Sequence, residues 1–319
     1  MNNFEAKQIP VPEFSVIITC YFEEKSIDEF HARLSSAMQK LGRPFEIIFV
    51  NDGSTDGTWE HLKAIYEKDS NVTAVIELFR NSGQAAAMVA GFMEASGRNF
   101  IFMDSDLQLD PEDLPLLVAK FDEGMDFVSG SRKNRKDSLM RIIPSKIANV
   151  IMRRVSNSQL TDFGCTMKIM RNELVRAFHA GPSRNWSLVK VIAQAGRVAE
   201  VSVNHHPRKY GKSGWTFRKL FATNMDNLVR LSRRPFQILG LLCLLGALLF
   251  IFRVVVGWFL PFSILGDITN GFVLNALIVS LFIVVAILCA IGEFVIRSFL
   301  ALQRDPIYIV KEILKKEIS

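Results

Sequence analysis

The apolar residues fall into short unbroken runs separated by stretches of helical spacing. Residues 14–20 (FSVIITC) form a β-branched run bounded by polar positions and predict a buried strand. Residues 26–41 place Ile27, Phe30, Leu34 and Met38 on one helical face. A second strand, 45–50 (FEIIFV), stops at Asn51-Asp52-Gly53, a turn signal. The pattern continues with a helix near 58–67, a strand at 72–79, an Ala-rich helix at 83–96 and a strand at 99–103. A helix opening near Pro111 and a strand near 126–130 follow, since proline suits a first helical turn. Strands alternating with helices predict an α/β fold with a parallel, doubly wound sheet, which binds ligands at the carboxyl ends of its strands. Asn51–Asp56 and Asp104–Asp106 both fall at such ends.

From Ser138 to Ser156 the pattern becomes amphipathic and basic, with Leu139, Ile142, Ile143, Ile147, Val150 and Ile151 interleaved with Arg141, Lys146, Arg153 and Arg154. This reads either as a surface helix on the core or as a helix lying on a membrane. Two long apolar stretches favour the membrane. Between Pro235 and Pro261 the one charge is Arg253, and between Phe272 and Gly292 there is none. Each exceeds the roughly 20 residues needed to cross a hydrocarbon core. Arg253 lies near the far end of the first stretch, within reach of the interface. Arg230, Arg233 and Arg234 precede the first stretch, and Arg297, Arg304, Lys311, Lys315 and Lys316 follow the second. The intervening loop has Asp267 and no Lys or Arg. The positive-inside rule therefore puts both termini and the α/β portion in the cytoplasm.

Composition adds little. Of 319 residues 49% are hydrophobic, enough for a sizeable core besides the two apolar stretches. A net charge of +6 fits either simple solubility or attraction to phosphates and anionic lipid. The four cysteines show no C-x-x-C spacing, which argues against a zinc site or a disulfide framework. The N-terminus lacks an apolar core of signal-peptide length.

Several segments carry possible chemistry. Asp104-Ser105-Asp106, with Gln108 beyond, ends a strand; such carboxylates share a hard cation, Mg2+ or Mn2+, with a diphosphate, or are simply a solvated loop. Asn51–Gly57 is either a nucleoside site or a turn in which Asp56 or Thr58 caps the next helix. Gly211-Lys212-Ser213 is not a phosphate loop, because His206 stands where the first glycine belongs. His205-His206 are adjacent, point apart on an extended segment and read as structural or surface residues. Arg132, Lys133, Arg135 and Lys136 form a run that is either solvated or suited to a lipid phosphate.

Together these segments resemble the family-2, GT-A-fold polyprenyl-phosphate glycosyltransferases. The similarity runs through VNDGSTDGT at 50–58, RNSGQAAAMVAGF at 80–92, DSDLQLDPEDLP at 104–115, GSRKNRKDS at 130–138, TDFGC at 161–165, HPRKYGKSGW at 206–215 and IGEFVIR with RDPIYIV within 291–310. The two-span end is similar to the bacterial branch, and 132–165 to its aminoarabinose transferases. The resemblance implies an inverting transfer of a sugar from a UDP-linked donor to undecaprenyl or another polyprenyl phosphate, with Mg2+ or Mn2+ as cofactor. It implies that Glu23 and Asp52 contact the nucleoside, that Asp104, Asp106 and Gln108 handle metal and diphosphate, and that Arg208 reaches the diphosphate. Arg132, Arg141 and Ser145 correspond to an acceptor-phosphate site, and Asp162 to a residue orienting acceptor or sugar. The opening motif, usually Pro-x-Tyr-Asn-Glu, is here Thr19-Cys20-Tyr21-Phe22-Glu23. The usual Ser-Lys pair is Ser213-Gly214, with Lys212 as the substitute cation.

The expected organisation is a nucleotide-sugar core at 1–137, acceptor site and interfacial helices at 138–234, two transmembrane helices at 235–297 and a cytoplasmic tail at 298–319. The expected setting is a bacterial inner membrane, without nucleic acid, as a homo-oligomer that the resemblance makes a tetramer. Rival readings are a processive polysaccharide synthase, against which the missing Q-x-x-R-W motif counts, and a non-catalytic membrane scaffold.

Overall fold

The computed structural model describes residues 11–133, most of 149–179, 188–210, part of 276–299 and 306–316. Its elements begin β1 (Phe14–Cys20), α1 (Ile27–Leu41), β2 (Phe45–Asn51), α2 (Thr58–Lys68), β3 (Val72–Leu78), α3 (Gln84–Glu94) and β4 (Asn99–Asp104). A 3-10 turn at Pro111–Asp113 leads into α4 (Leu114–Asp122), and β5 (Phe127–Arg132) follows. Beyond it come β6 (Lys168–Arg171), α5 (Asn172–His179), α6 (Leu188–Gln194), β7 (Val198–Val203) and β8 (Val310–Lys315).

The strands form one sheet in the order β7-β5-β6-β4-β1-β2-β3-β8. Its centre is parallel, as the alternation predicts, but β6 runs antiparallel to β4 and β5, and β8 antiparallel to β3. The sheet is therefore mixed. The parallel strands β1 to β4 follow one another through single helices, whereas β6 and β8 follow the long intervals 133–167 and 204–309. No simple crossover fixes their direction.

Alternate residues of each strand feed opposite faces. Val16, Ile18, Phe49, Ile101 and Met103 pack with Phe30, Leu34 and Met38 of α1, Leu62 of α2 and Leu117 of α4. Ile17, Ile48, Val50, Phe100 and Phe102 pack with Ala87 and Ala90 of α3, Val175 of α5 and Val191 of α6. Burial on both faces is why the strands read as continuous apolar runs.

The chain divides into two compact units, Met1–Asn224 with Asp305–Ser319, and Met225–Arg304. In the second, the described residues between 276 and 299 are helical and expose Leu277, Leu281, Leu288 and Phe299. Among the described residues no helix is long and apolar enough to cross a membrane. The first apolar stretch, 235–261, lies outside them, as does most of the 138–156 segment.

Candidate active site

The parallel register sets Cys20 level with Asn51 and Thr19 level with Asp104, so the segments leaving β1, β2 and β4 emerge together. The Asn51–Gly57 turn needs its glycine. Gly53 has φ +67°, and a Cβ there would stand 2.4 Å from the Arg80 carbonyl carbon. Asp56 accepts from the Thr58 N–H at 3.2 Å and from its hydroxyl at 2.6 Å, fastening the start of α2. Asp52 is buried, and its two oxygens accept from the Ser82 N–H at 2.7 Å and the Gly83 N–H at 2.9 Å. It thus shapes the β3–α3 loop.

Asp104 and Asp106 hold different company. Asp104 Oδ1 accepts from Gln84 Nε2 at 2.6 Å and Thr19 Oγ1 at 3.0 Å. Burial first, and the Asp106 charge second, push the Asp104 carboxyl up to about 6 against those bonds. Asp106 Oδ2 instead pairs with Arg208 Nη2 at 2.7 Å, while Oδ1 accepts from the Gln108 N–H at 3.1 Å. Leu107 between them has φ 58°, so the turn is tight. The Gln108 carbonyl accepts from the His206 N–H at 2.9 Å and Leu109 bridges to His205, which is how the 205–208 segment delivers Arg208.

Glu23 joins this cluster. Burial, with the charges of Asp106 and Asp104, pushes its carboxyl up to about 7 against the pull of Ser26 and Arg208. Its backbone N–H donates to Thr58 Oγ1 at 3.0 Å. Glu23 follows β1 and lies near enough to Asp106, Arg208 and Asp104 for their charges to act on it. His206 pairs with Asp110 at 2.7 Å, and Asp110 also binds Arg33 at 2.6 Å, in keeping with a structural role.

A second group lies at the end of β5. Arg132 and Asp162 make a two-pronged pair, Nε to Oδ2 and Nη2 to Oδ1 both at 2.7 Å. Burial alone would raise the Asp162 carboxyl; the Arg132 guanidinium holds it down at about 2. Glu200 of β7 accepts from Thr161 Oγ1 at 2.6 Å and from the Asp162 N–H at 2.9 Å, fixing the turn. Nearby, Lys168 is fully buried and donates to Ser129 Oγ at 3.1 Å and to the Cys165 carbonyl. The sequence reading singled out neither Glu200 nor Lys168. Arg141, Ser145, Lys212 and Ser213, with Arg135 and Lys136, lie outside the described residues.

The donor set fits a hard divalent cation in one form. Among the described residues no group of three or more His, Cys, Asp or Glu side chains is arranged to hold a metal. Gln108 meets Asp106 through its backbone N–H. Two neighbouring carboxylates, one carrying only neutral named partners, suit an ion that completes its shell with water and substrate phosphate.

Residues 15–178 match Glycosyl transferase family 2. The chain belongs to that family. Arg208 and β8 lie beyond the matched segment. This family 2 chain is 33% identical to the undecaprenyl-phosphate 4-deoxy-4-formamido-L-arabinose transferases of Salmonella paratyphi B and Salmonella newport, over 97% of its own length and 95% of theirs. Among solved structures it is similar to residues 1–349 of S. aureus TarS in complex with UDP-GlcNAc, at 22% identity and TM-score 0.46, over 68% of this chain and 65% of that one. Glucosyl-3-phosphoglycerate synthase of Mycobacterium tuberculosis, in complex with Mn2+ and UDP-glucose, gives 16% identity and TM-score 0.47, over 68% and 77% of the two chains.

Proposed function

We propose that this family 2 chain is an inverting glycosyltransferase that moves one sugar from a UDP-linked donor onto undecaprenyl phosphate at the cytoplasmic face of a bacterial inner membrane. The observation that carries the chemistry is the convergence of Asp104, Asp106, Glu23 and Arg208 at the carboxyl ends of the parallel strands. The acceptor class rests on similarity to undecaprenyl-phosphate transferases along 97% of the chain. Membrane attachment rests on the two apolar stretches and on the apolar residues exposed between 277 and 299. A homo-oligomer, a tetramer, is part of the same reading.

The acceptor is a phosphate monoester, anionic at neutral pH, so its oxygen needs positioning more than deprotonation. Arg132, kept oriented by Asp162, would face that phosphate with Arg141 and Ser145. Arg208 would pass from Asp106 to the donor diphosphate, and Lys212 and Ser213 would add to that grip. Asp104 and Asp106 would hold Mg2+ or Mn2+, which neutralises the departing diphosphate. Asp52 would set the loop that receives the nucleoside.

The test uses full-length protein in detergent, undecaprenyl phosphate and a panel of nucleotide sugars, with Mg2+, Mn2+ or EDTA. Mass spectrometry should find the lipid heavier by one sugar, and EDTA or Asp106→Ala should abolish the product. Longer products would favour a polysaccharide synthase, and no product from any donor by protein that still binds UDP would favour a scaffold.

A further inference from the structure

We infer that Thr19 and Gln84 are positioning residues that hold Asp104 for a divalent cation while leaving its charge unspent; this rests on the metal-dependent transfer proposed above. Two segments far apart in sequence converge on one carboxylate. Thr19 lies near the end of β1 and Gln84 opens α3. Thr19 is buried, and it reaches Asp104 across 85 residues of sequence at 3.0 Å.

The kinds of donor matter. Asp106 is matched by a full positive charge at 2.7 Å, whereas the donors named on Asp104 are one hydroxyl and one amide. A neutral donor fixes a carboxylate's rotamer and offsets burial without cancelling its attraction for a cation. The arrangement divides the labour: Asp104 is the carboxylate ready for metal, and Asp106 becomes available when Arg208 moves to the donor diphosphate. Position 19 makes this specific to the chain. The resemblance sets a proline there, which has no hydroxyl to donate, so the broken opening motif adds a bond to the site.

The experiment titrates full-length protein in detergent with Mn2+, read by electron paramagnetic resonance with and without UDP. Thr19→Val and Gln84→Met should each weaken Mn2+ binding by about tenfold. Thr19→Ser, which keeps the hydroxyl, should bind Mn2+ like the unaltered protein. Thermal melts run beside each titration, because a purely structural bond would lower the melting temperature and leave Mn2+ affinity alone. Unchanged affinity in Thr19→Val and Gln84→Met overturns the inference, as does failure of the unaltered protein to bind Mn2+. Failure to glycosylate undecaprenyl phosphate, with the Mn2+ effects present, would instead overturn the acceptor assignment and leave these two residues in their role.

Discussion

Arg208 Nη2 lies 2.7 Å from Asp106 Oδ2 although the residues stand 102 positions apart. In the proposed reaction the donor diphosphate and the cation would both compete with this ion pair. Arg208→Gln should therefore act in two directions. Without donor, freeing Asp106 should tighten Mn2+ binding several-fold, since a positive neighbour is removed. With donor, kcat/KM should fall by about a hundredfold, the typical loss when one charge-stabilising donor is deleted. Mn2+ titration and steady-state kinetics on the same preparation check both; a weakening of Mn2+ binding would show that Arg208 helps hold the carboxylates in place.

The Arg132–Asp162 pair makes stability depend on acidity. The folded Asp162 carboxyl is depressed to about 2 from an ordinary carboxylate value near 4. A depressed group stabilises the fold above its unfolded value, and that contribution disappears as pH falls from about 4 to 2. It is worth about 2 kcal/mol at neutral pH. Asp162→Asn should melt lower than the unaltered protein at pH 7, and the two melting curves should approach each other between pH 4 and 2. A constant gap across that range would assign the loss to packing.

Glu46 should matter for stability and not for chemistry. It is buried at the end of the sheet where β2 begins, away from the strand ends that carry the carboxylates. Its Oε1 accepts from Ser15 Oγ at 2.5 Å, the Ser96 N–H at 2.7 Å and hydroxyl at 2.9 Å, and the Gly97 N–H at 3.2 Å, while Oε2 accepts from Thr73 Oγ1 at 2.8 Å. Glu46→Ala leaves these donors without their acceptor and should cost about 3 kcal/mol. Denaturant melts measure the loss. The fraction that remains folded should keep its KM for donor, and a raised KM would tie this staple to the site.

What the sequence displayed follows from burial and charge. Strands β1 to β5 are apolar runs because helices cover both faces, and their approximate limits could be read directly. Strand β6 (KIMR) is four residues long with Lys168 and Arg171 at its ends, β7 (VAEVSV) is half-exposed, and β8 (VKEILK) is an edge strand half made of charged residues, so none shows that signature. Asp104, Asp106, Glu23 and Arg208 were nameable as charged residues within a resemblance. Thr19, Gln84 and Glu200 were not, because their roles arise from contacts between distant segments and leave no local pattern. The one sign of Thr19 was the break in the opening motif.

The last strand gives a prediction that contrasts deletion with substitution. Residues 298–319 read as a tail, yet Val310–Lys315 pairs along β3, with Val75 opposite Leu314 and Ile76 opposite Ile313. Lys311 lies 3.1 Å from the carboxylate of Glu77, which is 5% exposed. Lys311→Met keeps the strand but strips the carboxylate of its cation; since Lys311 is half in solvent, the cost should be about 1–2 kcal/mol. Deleting 306–319 differs in kind. It lets water reach Glu77 but leaves β3 (VTAVIEL) as an unpaired, apolar, β-branched edge. The substituted protein should melt lower and stay dispersed in detergent, while the truncated one should aggregate during heating well below its melting temperature. Size-exclusion chromatography after graded heating separates the two outcomes. A truncated protein that stays dispersed would show that β8 is dispensable as a cover for the sheet edge.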